Sequence, residues 1–417
     1  MEENDLGLIV LKSFADRGKE VNDYISAFRE EKGKNYLISF DNPRFSNGEA
    51  KVKINETVRN KDIYILADIG NYSCTYNLYG NVNHMSPDEH FQDVIRTISA
   101  ISGKAKSITV FLPLMYASRQ HRRKGRESLD CAMALKYLEN LGAHNVLTFD
   151  VHDPNIQNVM PTRSFDNISP IYCVLKEFIR NEYKEIGKDK MIVISPDAGA
   201  IERATMYASV LGLDLGLFYK RRDYSIVVNG KNPILQHDYI GNDVKGKNIL
   251  IVDDMIASGE SVIDIIKQLK ARGCAKVYVV TTFAFFTEGI AKFNKLYEEG
   301  NLTKVYSTNA SYLSDDVKNA PWFCEVSLTK FIAKIIMTLN EGKSISEYIS
   351  STEKIKKLYM KYSNKLKKND WFHSFFLSFF FFLSHDNGYY ANCFALINDF
   401  NGAIFICYKF PTVEACD

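Results

Sequence analysis

Residues 248–261 read NILIVDDMIASGES: a buried-strand run at 249–252 ends in two adjacent carboxylates, Asp253 and Asp254, and then in a Ser/Gly turn. Val262, Ile265, Ile266 and Leu269 follow at helical spacing, Arg272 falls in the last turn and Gly273 is a natural stop, so the spacing predicts a helix beginning at the turn. Ala257, Ser258, Gly259, Glu260 and Ser261 make up that turn and helix start. Such a turn presents unpaired backbone N–H groups and the positive end of the helix dipole, which suits a phosphate. Carboxylates just before it can accept hydrogen bonds from vicinal sugar hydroxyls. A phosphate and a diol held side by side describe a ribose 5-phosphate. Taken alone, the same residues also fit a strand–turn–helix with a capping serine and two solvated aspartates.

Four other polar clusters could do chemistry. RFSNGE at 44–49 contains Phe45, Asn47, Gly48 and Glu49, and by itself reads as a Ser-Asn-Gly turn. SRQHR at 118–122, with Arg119 and Gln120, follows the strand-like run 108–113 and also fits a solvated basic loop. DVHD at 150–153 brings His152 to the end of the run 145–149, and SPDAG at 195–199 brings Asp197 to the end of another. A lone histidine is a poor ligand for magnesium, which prefers oxygen, so His152 gains meaning only beside the hard carboxylate of Asp197. The three cations Lys220, Arg221 and Arg222 close the apolar run 211–219; they suit charge stabilisation at a phosphoryl group or an ordinary exposed turn.

The elements that must position these groups have a regular rhythm. Short β-rich runs alternate with helical-period segments: 62–67 then 91–102, 107–113 then 129–141, 145–149 then 168–182, and onward from 191 to 339. That is the pattern of βα units around a parallel sheet, and 417 residues at 46% apolar accommodate two such sheets. Ligands of open parallel sheets sit beyond the carboxyl ends of the strands, where most of these clusters fall. Asp-Pro, Met-Pro and several Asn residues break the rhythm between 153 and 166. The expected organisation is an N-terminal domain over 1–160, a C-terminal domain over 161–350, and a helix with an unassigned aromatic-rich tail over 351–417.

Acidic and basic residues nearly cancel, leaving a formal charge of +2, which argues against a nucleic-acid coat or an anionic membrane surface as partner. Eight cysteines lie scattered without a Cys-x-x-Cys pair, and the N-terminus lacks a signal-peptide pattern, so reduced thiols in the cytoplasm are expected. The apolar run at 371–383 is shorter than the ~20 residues a spanning helix needs, so no transmembrane segment is expected.

The string at 248–261 resembles the phosphoribosyl-pyrophosphate motif of the phosphoribosyltransferase fold, and 252–256 with the small residue after it resembles the version used by ribose-phosphate pyrophosphokinases. The resemblance runs from about residue 44 to 349 with the segments in family order, including the Leu-Ser-Asp step at 313–315. It implies an α/β fold of two tandem phosphoribosyltransferase-like domains, each a mainly parallel sheet flanked by helices. It also implies transfer of a diphosphate from ATP to ribose 5-phosphate, with magnesium as cofactor.

By the same resemblance, Phe45, Asn47, Gly48, Glu49, Arg119 and Gln120 bind ATP, the 44–49 segment acting from a neighbouring subunit; at least a homodimer, and a hexamer as the larger assembly, is implied. Residues 253, 254 and 257–261 bind ribose 5-phosphate, His152 and Asp197 serve the metal, and Lys220 and Arg222 are catalytic. The chain departs from the pattern at Asn47, His121 and Glu260. An amide at 47 can still pair with adenine. A first-turn Glu260 favours the helix dipole and is expected to point outward; facing a phosphate at ~4 Å it would cost ~1 kcal/mol in water and ~4 kcal/mol at an effective dielectric near 20. Two other functions fit parts of the chain: a simple phosphoribosyltransferase, which needs only the sugar-phosphate half, and a non-catalytic regulatory subunit with an eroded site. The stretch 71–89 is longer than usual, which leaves regulation open.

Overall fold

The structure, a computed structural model, describes residues 5–31, 33–123, 125–222, 234–349 and 351–363, together with the strands at 393–396 and 404–407; the side chains of 220–222 and 234–237 lie outside the described set. The chain divides into two units, Met1–Tyr359 and Met360–Asp417.

The first unit begins with β1 (Leu6–Val10), α1 (Ala15–Phe28), the short pair β2 (Phe40–Asp41) and β3 (Lys53–Ile54), β4 (Asp62–Leu66), and the hairpin β5 (Thr75–Leu78) and β6 (Asn81–His84). Then come α2 (Pro87–Ile101), β7 (Ser107–Phe111), α3 (Asp130–Asn140), β8 (Asn145–Phe149) and β9 (Ser164–Ile168). Strands β1, β4, β7, β8 and β9 form a five-stranded parallel sheet in chain order.

The chain continues through α4 (Ile171–Glu182), β10 (Met191–Ser195), α5 (Ile201–Leu211), β11 (Asp214–Arg222), β12 (Ile234–Ile240), β13 (Asn248–Ile256), α6 (Glu260–Ala271) and β14 (Val277–Ala284). It closes with α7 (Ala291–Glu298), β15 (Lys304–Thr308), α8 (Asp315–Lys318), β16 (Phe323–Val326), α9 (Thr329–Asn340) and α10 (Ser346–Ile349). The second sheet has the order β12-β11-β10-β13-β14-β15-β16, parallel except for the β11–β12 edge. Chain direction across this sheet reverses between β10 and β13. In an open sheet that reversal parts the two connections and leaves a crevice at the carboxyl ends.

The parallel strands are apolar because both faces are covered: every residue of β14 is buried. One core lies under α2 and α3 of the first sheet and another under α6 and α7 of the second. A third is shared, joining Leu8, Phe14, Tyr64, Phe111 and Phe149 of the first half to Phe283, Ile332 and Ile336 of the second, with α1 packed on α9. The fold is thus the expected pair of sheets within a single body.

One expectation needs adjusting. Strand β9 pairs in parallel with β8 from Asn145↔Ser164 to Phe149↔Ile168 and so closes the first sheet, while α4 packs on β15 and β16 of the second. Its sequence, SFDNI, is too short and polar for an apolar edge strand to be seen in it. Strand β13 runs beyond Val252 to Ile256, pairing Asp253↔Thr281 and Ile256↔Ala284, so the two aspartates lie within the strand instead of following it.

In the second unit β17 (Cys393–Leu396) and β18 (Ile404–Cys407) pair antiparallel. The apolar run at 371–383 lies outside the described residues. Among those described, no helix is long and apolar enough to cross a membrane.

Candidate active site

At the crevice β13 gives way to α6 through Ala257, Ser258 and Gly259. Two bonds from the loop after β14 hold the turn from behind: Phe285 N–H donates to Ile256 C=O at 2.8 Å and Thr287 N–H to Ala257 C=O at 3.0 Å. Gly259 caps the helix at φ 84°, and a Cβ there would lie 2.5 Å from Phe293 Cε2, a ring that is itself buried against Trp322. Only glycine satisfies both conditions. The first turn of α6 therefore faces the crevice with amides that lack intrahelical acceptors.

An open cavity of about 180 Å³ forms over this turn. The second half contributes Asp197, Arg203, Asp253, Asp254, residues 257–259 and Ser261; the first half contributes Arg119 and His152. Asp197 leaves β10 and accepts from Gly199 N–H at 2.9 Å and Ala200 N–H at 3.2 Å, which fixes its carboxylate at the crevice mouth. His152 leaves β8 and bonds through Nδ1 to Asp254 Oδ2 at 2.7 Å, joining the halves directly.

Carboxylates and cations meet at the site. Burial and then the neighbouring Asp254 carboxylate push the Asp253 pKa well above the usual carboxylate range. Burial alone would also raise Asp254, but its hydrogen bond with His152 and the nearby Arg203 charge hold it below. The bond to Asp254 in turn raises the His152 pKa against the effect of burial.

Arg203 is committed beneath the cavity. Its Nε reaches Asp150 Oδ1 and Oδ2 at 3.0 and 2.9 Å, its Nη2 lies 2.9 Å from Oδ1, and Thr282 donates to Oδ2 at 2.6 Å. Asp150 holds a left-handed backbone, φ 44°, a conformation that costs a side-chain-bearing residue about 1–2 kcal/mol. These bonds hold that turn in place, two residues before His152. Sequence reading gave Asp150, Arg203 and Thr282 no role, because an isolated helical arginine and a strand threonine carry no local signal.

The remaining expected residues are distributed as follows. Phe45, Asn47, Gly48 and Glu49 form a tight turn, with Phe45 N–H donating to Glu49 C=O at 2.7 Å and Asn47 Nδ2 to Glu49 Oε2 at 2.9 Å, and none of them lines the cavity. Gln120 is exposed next to Arg119 and does not line it either. Glu260 points outward, 69% exposed, with Lys292 Nζ 3.8 Å from Oε1. His121 approaches Asp153 at 3.2 Å, its ring 5.4 Å from that of His152. Lys220 and Arg222 end β11 at the antiparallel edge, and their side chains are outside the described set.

Among the described residues no group of three or more His, Cys, Asp or Glu is arranged to hold a metal ion alone. Magnesium is usually held by one or two carboxylates with substrate phosphates and water completing its shell, so the carboxylates of Asp197 and Asp254 fit an ion that arrives with phosphate ligands of its own.

A sequence profile for the N-terminal domain of ribose phosphate pyrophosphokinase matches residues 8–142, and one for the phosphoribosyl transferase domain matches 162–308. A ribose-phosphate pyrophosphokinase from Mycoplasma genitalium is 31% identical over 75% of this chain and 87% of its own length. Ribose-phosphate pyrophosphokinase A from Dictyostelium discoideum is 29% identical over 74% of this chain and 89% of its own. The crystal structure of phosphoribosylpyrophosphate synthetase from Mycobacterium smegmatis shares the fold, with a TM-score of 0.67 at 22% identity over 81% of this chain and 99% of that one.

Proposed function

The chain belongs to the ribose-phosphate pyrophosphokinase family, and from that premise we propose that it moves the diphosphate of ATP onto the anomeric hydroxyl of ribose 5-phosphate. The products are 5-phospho-α-D-ribose 1-diphosphate and AMP. The observation that carries this reading is one cavity walled by Arg119 and His152 from the first half and by Asp197, Asp253, Asp254 and the 257–261 turn from the second. A simple phosphoribosyltransferase would have no use for the first wall.

In this reading the turn at 257–261 holds the 5-phosphate on backbone amides, and Asp253 and Asp254 accept from the ribose hydroxyls. That orients the anomeric oxygen for in-line approach to the β-phosphorus. Arg119 meets the nucleotide phosphates. When bound, magnesium supplies charge neutralisation on the phosphate oxygens, and His152 and Asp197 are the side chains that would hold it. Lys220 and Arg222 would stabilise charge developing on the transferred group and on departing AMP. Phe45, Asn47, Gly48 and Glu49, which do not face this chain's own cavity, would serve the adenine of a neighbouring copy in a homodimer or a hexamer built from it. The five described cysteines are free thiols, which fits a reducing cytoplasm.

Glu260 bears on the non-catalytic alternative: the substitution that would most oppose phosphate binding turns its side chain away, so it does not amount to erosion. The purified protein given ATP, magnesium and ribose 5-phosphate should release AMP in step with phosphoribosyl diphosphate. Folded protein that binds both substrates yet releases no AMP would overturn the enzymatic reading.

A further inference from the structure

A second groove, of about 640 Å³, opens where α1, α4, α9 and α10 meet, and it shares no lining residue with the cavity described above. Its charge is unbalanced locally. Lys176, Lys330 and Lys334 line it, and none makes an ion pair among the described residues. Of its carboxylates, Glu347 is taken by Lys354 at 2.7 Å and Glu177 by Arg180 at 3.5 Å, which leaves Glu325 against three amines. Lys330 and Lys334 are held in place from one side, each 5.7 Å from the centre of the Phe28 ring.

Ser351 gives an independent indication. It lines the groove at the start of the helix over 352–363, is 4% exposed, and its Oγ has no hydrogen-bond partner. A serine in that position ordinarily accepts from a first-turn amide, so both the hydroxyl and the helix start retain donor capacity. The walls also include flat rings, Tyr172, Phe331 and Tyr348, the last two in edge contact at 5.8 Å.

We propose that this groove is a second ligand site, taking a phosphomonoester whose organic part is a flat aromatic ring. Three amines, a hydroxyl and a helix start offer more donors than the two oxygens of a carboxylate can accept, and they match the three oxygens of a dianionic phosphate. The rings provide the face on which the aromatic part lies. The assignment is independent of the diphosphate-transfer reading.

Pyridoxal 5′-phosphate is a suitable probe, being a phosphomonoester on an aromatic ring. Its aldehyde condenses with a lysine amine, losing water, and borohydride reduces the imine to a stable secondary amine. In the full-length protein, peptide mapping should find Lys330, Lys334 or Lys176 modified at least about tenfold faster than the well-exposed Lys19 and Lys295, on peptides distinct from that of Lys220. Phenyl phosphate should protect them at concentrations where inorganic phosphate does not. Ser351→Ala should slow this labelling about tenfold without moving the unfolding midpoint, because the hydroxyl makes no bond in the protein itself. Equal rates at groove and reference lysines would overturn the site. Equal protection by inorganic phosphate would overturn its aromatic specificity, and unchanged labelling in Ser351→Ala would remove the hydroxyl from it.

Discussion

Arg203→Met tests the bonds beneath the active site. The guanidinium makes three contacts of 2.9–3.0 Å with Asp150, and the two side chains are only 17% and 15% exposed. Removing one partner of such a pair leaves a buried carboxylate uncompensated, close to Asp253 and Asp254, and breaking pairs of this kind costs about 3–5 kcal/mol. Thr282 still donates to Asp150, so the lower end, about 3 kcal/mol or roughly a hundredfold in the unfolding equilibrium, is expected. Adding Asp150→Asn removes the stranded charge and should recover more than half of that loss. Turnover should stay low in both variants, because the left-handed turn that aims His152 is no longer held. Urea unfolding of the single and double variants, with AMP release measured in parallel, gives each quantity. If Arg203→Met unfolded within about 0.5 kcal/mol of the parent, or Asp150→Asn restored nothing, the buried-pair account would be wrong.

Glu260→Gly should change the ribose 5-phosphate KM by no more than about fivefold, since an outward charge interacts through water at ~1 kcal/mol; tightening beyond about a hundredfold would contradict the orientation. Lys220→Ala is expected to lower kcat about a hundredfold with KM little changed, and near-normal turnover would refute its catalytic role. His90, buried on α2 with Nε2 2.8 Å from Asn71 C=O, has its pKa pushed down by burial. The unfolded chain therefore takes up a proton near pH 6.5 that the folded chain excludes. Stability from this residue is complete above that pH and falls below it by at most about 1.4 kcal/mol per unit. Urea midpoints at pH 7.5 and 5.5 should differ less in His90→Gln than in the parent, and an identical pH dependence would rule His90 out.

The parts of the molecule legible in the sequence were those set by local periodicity. The strand run at 249–252, the glycine turn and helix α6 with its stop at Gly273 follow an apolar spacing, and the observed elements match it except that the strand runs on to Ile256. Strand β1 and α1 escaped reading because α1 is mostly polar and has a glycine inside it. Gly18 is there for contact: a Cβ would meet Val10 Cγ1 at 2.2 Å, so its absence lets α1 settle on β1. The hairpin β5–β6 turns through Tyr79 and Gly80, both at positive φ, and tyrosine is an unusual first residue for such a turn. At the site, His152 and Asp197 were found just beyond the ends of β8 and β10, as their segments suggested. What could not be read was the joining of those segments, since Asp150 meets Arg203 and Thr282 across 53 and 132 residues.

The aromatic core shared by the two halves also limits how the active site can change shape. Opening the halves about a hinge would bring Phe111, Phe149 and Phe283, all buried to within 1% of complete, into water. At about 2 kcal/mol or more for each large side chain, that motion would consume a large share of an ordinary folding free energy. The separation between the wall bearing His152 and the wall bearing Asp254 is thus set when the chain folds, before any substrate arrives, and rearrangements that accompany catalysis are confined to the loops at the strand ends.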